Sequence, residues 1–227
     1  GQFPQTGDAQ FIGRGLVDAA AVREVYEDKG APLILSVDPA RFGDDNAVLC
    51  FRQGGDARTI PWQIYPKLSL TELAEKVARA IDKYDPDYVM IEGDGVGGGL
   101  IDILKDAKFN VIEVKSGGGA EDKDAYMNHR AEMWARMRDW ITARGCIPDD
   151  QKLKDDLAAP EYEFSLKGQI KLEPKERMKK RGYASPDRAD ALAIGFSRHV
   201  GRTDRKASRL NTSTKRVAKG MDYDVFS

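Results

Sequence analysis

The sequence predicts an α/β fold: a central five-stranded mixed sheet, strand order 3-2-1-4-5, flanked by helices. Three observations predict it. The run 33–37 is apolar almost throughout and carries β-branched Ile34 and Val37, the pattern of a strand buried on both faces. Two more strand-like runs, 46–52 and 58–65, are joined by Gln53-Gly54-Gly55-Asp56, a hairpin signal, so the sheet opens with three antiparallel strands. A strand at 88–92, a helix through Leu100, Ile101, Ile103 and Leu104, and a strand at 111–114 then form a strand–helix–strand unit whose strands run parallel.

Residues 1–30 read as a linker or leading arm, with Leu16, Val17, Ala20 and Val22 spaced for a short amphipathic helix that either packs on the domain or ends a linker. Pro61 and Pro66 mark the third strand as an edge or as irregular, because proline cannot donate to a ladder. Ser69-Leu70-Thr71-Glu72 is a capping box. Behind it Leu70, Leu73, Ala74, Val77, Ala78 and Ile81 share a helical face, and Asp85-Pro86 stops the helix. After the fifth strand, a charged glycine-rich loop over 115–125 leads to a helix with Tyr126, Met133, Trp134, Met137 and Ile141 on one face and Gly145 at its end.

A short helix over 153–158 follows. Next comes a small hairpin, in which Tyr162, Phe164 and Leu166 alternate and Ile170 and Leu172 answer across Lys167-Gly168. A basic cluster occupies 175–181. Ser185 is placed as N-cap and Pro186 at the first position of the last helix. The expected organisation is an arm over 1–30, one domain over 31–200, and a basic flexible tail over 201–227.

Composition excludes several classes. With 227 residues and 41% hydrophobic content the chain supports one real core. Lys and Arg number 36 against 37 Asp and Glu, so no global basic field announces nucleic acid. Cys50 and Cys146 lie in no metal-ligand spacing and suggest a reducing compartment. No apolar run is long enough to span a membrane. There is no GxxxxGK[ST] loop, and the glycines from 95 to 99 follow the fourth strand with spacing GxGGG, which is not the dinucleotide fingerprint. The first residues look like a boundary inside a longer chain.

The order of strands and helices is that of the ribonuclease H fold, which keeps its chemistry on acids ending strand 1, ending strand 4 and opening the last helix. This chain has acids at all three: Asp38, Glu92 with Asp94, and Asp187 with Asp190. Residues 92 and 94 share strand parity, and 187 and 190 share a helical face. Crowded carboxylates cannot all ionise cheaply and call for a cation. Mg2+ or Mn2+ suits such an oxygen cluster, and two ions together activate water and stabilise the leaving oxygen of a phosphodiester. His129 and His199 sit in ordinary helical contexts. The Asp187/Asp190 pair alone could merely favour a helix N-terminus. Lys175, Lys179, Lys180 and Arg181 are usually a solvated face, but their place just before the third acid suits contact with a DNA backbone.

Three motifs in order resemble one family. They are Val37-Asp38-Pro39-Ala40 with Gly43-Asp44-Asp45; Ile91-Glu92-Gly93-Asp94-Gly95-Val96-Gly97; and Ser185-Pro186-Asp187-Arg188-Ala189-Asp190-Ala191-Leu192. Between them, Asn128 to Met133 and Ile170 to Lys175 resemble its connecting segments, and Gly1-Gln2-Phe3-Pro4 its interdomain linker. The chain, over about residues 1–200, is similar to the nuclease domain of the large terminase subunit of tailed bacteriophages.

The resemblance implies a metal-dependent endonuclease that cuts concatemeric double-stranded viral DNA at packaging, in the host bacterial cytoplasm. It also implies a missing N-terminal ATPase domain, with the portal protein and small terminase subunit as partners. By motif position Asp38 is the first metal ligand, Glu92 the second ahead of Asp94, and Asp187 the third with Asp190 one turn on. A resolvase- or transposase-type nuclease shares the fold and the acids and is the alternative.

Overall fold

The computed structural model describes residues 10–40 and 45–201. Gly43, Asp44, the first nine residues and the tail from 202 onward lie outside the described residues. The sheet contains β1 (Leu33–Asp38), β2 (Asn46–Gln53), β3 (Gln63–Pro66), β4 (Tyr88–Glu92) and β5 (Ile112–Val114), in spatial order β3-β2-β1-β4-β5. The first three strands are antiparallel, while β1 pairs with β4, and β4 with β5, in parallel. The predicted order, with β1 and β4 as neighbours, is borne out.

Helices cover both faces. Leu35, Val37, Leu49, Phe51, Val89 and Ile91 pack with α2 (Leu70–Tyr84) and α3 (Gly97–Asp106). On the other face Ile34, Val48, Cys50 and Met90 meet α4 (His129–Ala143) and α7 (Asp187–Ile194). The alternation within β1 is the period-2 rule at work, and both faces are dry because each has its own helical layer. Beneath α4 and α7 lie α1 (Arg14–Val22) and α5 (Gln151–Ala158), whose mutual packing buries Val17, Ala20, Leu153 and Leu157. A second sheet of two strands, β6 (Tyr162–Phe164) and β7 (Ile170–Leu172), precedes α6 (Lys175–Lys180). Among the described residues, no helix is long and apolar enough to cross a membrane.

Three elements depart from expectation, each for a tertiary reason. The third strand begins at Gln63, five residues later than predicted. Gln53 and Asp56 do close a tight turn, but Ala57 N then donates to Cys146 O at 2.9 Å, and the Arg58 guanidinium donates to the carbonyls of Ala20, Arg23 and Ile147. The stretch after the turn is therefore drawn toward the end of α4, away from the β2 edge. Helix α4 begins at His129, because residues 125–127 bond to Ile170 instead (Met127 N to Ile170 O, 2.9 Å), and Asn128 Oδ1 caps by accepting from Ala131 N at 2.9 Å. The last helix has Pro186, not Ser185, at its N-cap position, with no side-chain cap of its own. Ser185 Oγ is buried without a hydrogen bond; the donor at Arg188 N is satisfied by Asp156 Oδ2 of α5, at 3.1 Å.

Candidate active site

Strand parity places the first two acids. In β1, Ile34 faces the α4/α7 layer, and residues two and four further on, Ser36 and Asp38, point the same way. In β4, Met90 faces that layer and Glu92 follows it. Because Val37 pairs with Ile91 in parallel register, Asp38 and Glu92 leave the sheet side by side under the N-terminus of α7. Helix α7 packs across β1 and β2, and its first turn carries Asp187 and Asp190, both buried. Acids 38, 92, 187 and 190 are close enough to act on one another electrostatically.

Their environments differ. Asp38 makes no side-chain hydrogen bond with any described residue. Burial pushes its carboxyl up to about 8, Asp190, Asp187 and Glu92 add to the rise, and Lys175 opposes it. Glu92 Oε1 accepts from the backbone N–H groups of Asp94 and Ser116, each at 3.2 Å, and Oε2 accepts from the Ser116 hydroxyl. Burial still raises its carboxyl, with those N–H groups pulling the other way. Asp187 Oδ2 accepts from Asn46 N at 2.8 Å, which locks the start of α7 to the start of β2; burial raises this carboxyl too. Asp190 is the exception. Although burial opposes the charge, Arg130 Nε at 3.1 Å, Trp134 Nε1 at 2.8 Å and Lys175 Nζ at 2.9 Å hold its carboxyl down to about 2.

The glycines after Glu92 serve close approach, not phosphate binding. A Cβ on Gly97 would lie 1.7 Å from the Glu92 carbonyl oxygen, so only glycine lets α3 start against the end of β4. Gly95 has φ +67, in the left-handed region that glycine enters freely. Asp94 projects from this turn, exposed, and its Oδ2 accepts from Gly117 N at 2.8 Å.

The basic cluster divides. Arg181 Nε and Nη2 donate to buried Glu173 at 2.8 and 2.6 Å, and Nη1 to Glu161 at 2.9 Å. Lys175 is committed to Asp190. Lys180 is exposed and makes no ion pair with a described residue, while Lys179 reaches only Asp45, at 3.8 Å. His129 is structural: its ring nitrogens lie 3.1 Å from Lys115 O and 2.9 Å from Ser197 O.

Three participants escaped sequence reasoning: Ser116, Arg130 and Trp134. Position within the glycine-rich loop gives Ser116 no local signal. Arg130 and Trp134 are four apart and share a face of α4, and a cation and an indole donor on an otherwise apolar face could have suggested a buried acid as partner.

The donor set is chemically suited to a hard divalent ion: oxygen donors only, with a half-buried Asp38 that accepts no hydrogen bond from a described side chain. Among the described residues, however, no three carboxylate, histidine or cysteine side chains stand close enough together to hold an ion as they are. Glu92, Asp187 and Asp190 are turned onto protein donors instead.

No family model matches the chain. It is 28% identical over 217 residues to a probable terminase large subunit of Enterobacteria phage P7, across 86% of this chain. The chain spans 43% of the length of that relative. Among solved structures, the nuclease domain of the large terminase subunit gp2 of bacterial virus Sf6 matches with TM-score 0.72 and 22% identity, covering 84% of this chain and 98% of that one. The large terminase nuclease from thermophilic phage G20c, solved with bound magnesium, matches with TM-score 0.61 and 13% identity, covering 84% and 99%. The Sf6 domain is also known, as a variant, with manganese. The resemblance drawn from the three motifs is borne out, and the fold is ribonuclease H-like.

Proposed function

We propose, from the fold shared with terminase large-subunit nuclease domains, that this chain is a metal-dependent endonuclease that cleaves double-stranded DNA during phage genome packaging. One observation carries the reading: Asp38, which makes no side-chain hydrogen bond with any described residue, lies beside Glu92 and beneath Asp187 and Asp190. A carboxylate half-withdrawn from water without a described donor, among three others, is arranged for a cation.

In this reading Asp38, Glu92 and Asp187 are the principal ligands of Mg2+ or Mn2+, with Asp94 and Asp190 at the margin. Two bound ions would supply an activated water and stabilise the leaving oxygen of the phosphodiester. The chain's own residues do the rest. Ser116 and the N–H groups around it fix the Glu92 carboxylate at the end of β4. Asn46 orients Asp187. Arg130 and Trp134 keep Asp190 ionised and immobile, and Lys175 offsets the summed negative charge about Asp38. Lys179 and Lys180, exposed on α6 next to this cluster, are the proposed contacts to the DNA backbone, whereas Lys175 and Arg181 contribute by shaping it. The portal protein, the small terminase subunit and an N-terminal ATPase domain belong to the same proposal, as do the host cytoplasm as the place of action and a domain covering 31–200.

The test is direct. Plasmid incubated with the protein and Mn2+ or Mg2+ should be cut with little sequence preference, and less so as salt rises. Cutting that persists in EDTA, or in Asp38→Asn protein of unchanged fold, would overturn the proposal.

A further inference from the structure

The sheet has a second charged end. At the opposite ends of β1, β2 and α7 from the carboxylates lies a cavity of about 690 Å3, lined by Arg52, Arg136, Arg144, Arg198 and His199, with Asp28 the one carboxylate among the described lining residues. Four guanidiniums facing one aspartate are an uncommon concentration in a chain whose charges otherwise balance.

Their commitments are unequal. Arg136 is anchored by Glu132 at 2.8 Å and by Glu121. Arg52 has no carboxylate partner among the described residues: Nη2 donates to Gly195 O at 2.8 Å, the guanidinium lies 4.1 Å from the centre of the Phe196 ring, and Nε is buried with no hydrogen bond. Burial without a counter-ion pushes its pKa down to about 10, and Arg144 adds to the fall after burial. Arg144 and Arg198 are exposed and make no side-chain hydrogen bond or ion pair with a described residue. Gathering guanidiniums with little counter-charge among the described residues costs free energy, and a ligand that neutralises them recovers it.

We propose that this cavity is a phosphate-binding site, separate from the carboxylate cluster, in which Arg52, Arg144 and Arg198 take the oxygens of a phosphate group. Guanidinium forks match phosphate geometry, and several are needed for its charge, whereas a single carboxylate is satisfied by one. The phosphate belongs either to a nucleic-acid backbone or to a small free phosphate, and both present the same oxygens.

The experiment uses the whole chain in EDTA and reads binding alone, so its outcome is independent of whether the protein cleaves DNA. Inorganic phosphate is titrated calorimetrically, and a short labelled duplex by fluorescence anisotropy, against wild type and the double variant Arg144→Gln/Arg198→Gln. Both side chains are exposed, so the fold should hold, and a thermal melt checks it. Wild type should bind phosphate saturably, sulfate should compete and acetate should not, and the variant should bind about tenfold more weakly. A parallel loss of duplex affinity supports the site and assigns it to a backbone phosphate; loss for inorganic phosphate alone supports it and assigns it to a small ligand. No saturable binding by wild type, equal binding by the variant, or competition by acetate as strong as by sulfate overturns the proposal.

Discussion

Lys175 Nζ lies 2.9 Å from Asp190 Oδ2, while Trp134 and Arg130 donate to the other oxygen, Oδ1. The same ammonium acts on Asp38, so one cation on α6 joins the end of β1 to the first turn of α7. Helix α6 is thereby part of the site's electrostatics, although none of its residues is acidic at the cleft.

Lys175→Met should destabilise the metal-free protein by about 1–2 kcal/mol. A hydrogen-bonded charge pair is worth more in full burial, but Lys175 is partly open to water and Asp190 keeps two other donors. Added Mg2+ should reduce the deficit, because cation charge replaces the lost ammonium. Urea unfolding with and without metal measures both quantities. A deficit that metal leaves unchanged would separate Lys175 from the carboxylates.

Gly97 and Gly95 should respond in opposite degree. Gly97→Ala drives a methyl into the Glu92 carbonyl and should cost more than about 3 kcal/mol, with loss of cleavage, since the end of β4 must move. Gly95→Ala meets no atom and should cost only about 1 kcal/mol, from its positive φ. Denaturation midpoints of the two variants decide the comparison.

Glu92→Gln should abolish cleavage with the fold intact, while Asp94→Asn should only weaken it. Glu92 is partly buried and held at a strand end, whereas Asp94 is exposed within a glycine turn. Gel assays on the two proteins, with circular dichroism as the folding control, are sufficient. The reverse pattern would make Asp94 the principal ligand.

Asp156 should give a pH signature to stability. It lies buried on α5, and burial raises its carboxyl to about 6, against the pull of Lys152 and the Arg188 N–H. The raised value means that the folded state holds the proton more tightly than the unfolded state. Stability from this group is therefore full below about pH 4 and is lost as pH rises through about 6. Relative to Asp156→Asn, wild type should lose about 2 kcal/mol between pH 4 and pH 7. Matched denaturation series at those two values test it, and parallel curves would show that Asp156 titrates normally.

Local pattern determined much of this protein. The apolar run before Asp38 and its period-2 alternation already oriented that carboxylate toward one face, and the same parity in β4 sent Glu92 after it. The glycine pair after β2, the capping box at Ser69 and the prolines before and at the end of β3 were legible because each acts on its own neighbours within a few residues. What only the tertiary structure decided lies between residues distant in the chain. Asp156 serves Arg188 N across 32 residues, Trp134 reaches Asp190 across 56, and Ser116 reaches Glu92 across 24. Those partners settled which acids are satisfied and which is left for a cation, and likewise Glu173, Glu161 and Asp190 drew Arg181 and Lys175 of the basic cluster into the structure. A hydrogen bond needs alignment to within a fraction of an ångström, and that alignment is set by how helices pack on the sheet, a quantity no local pattern carries.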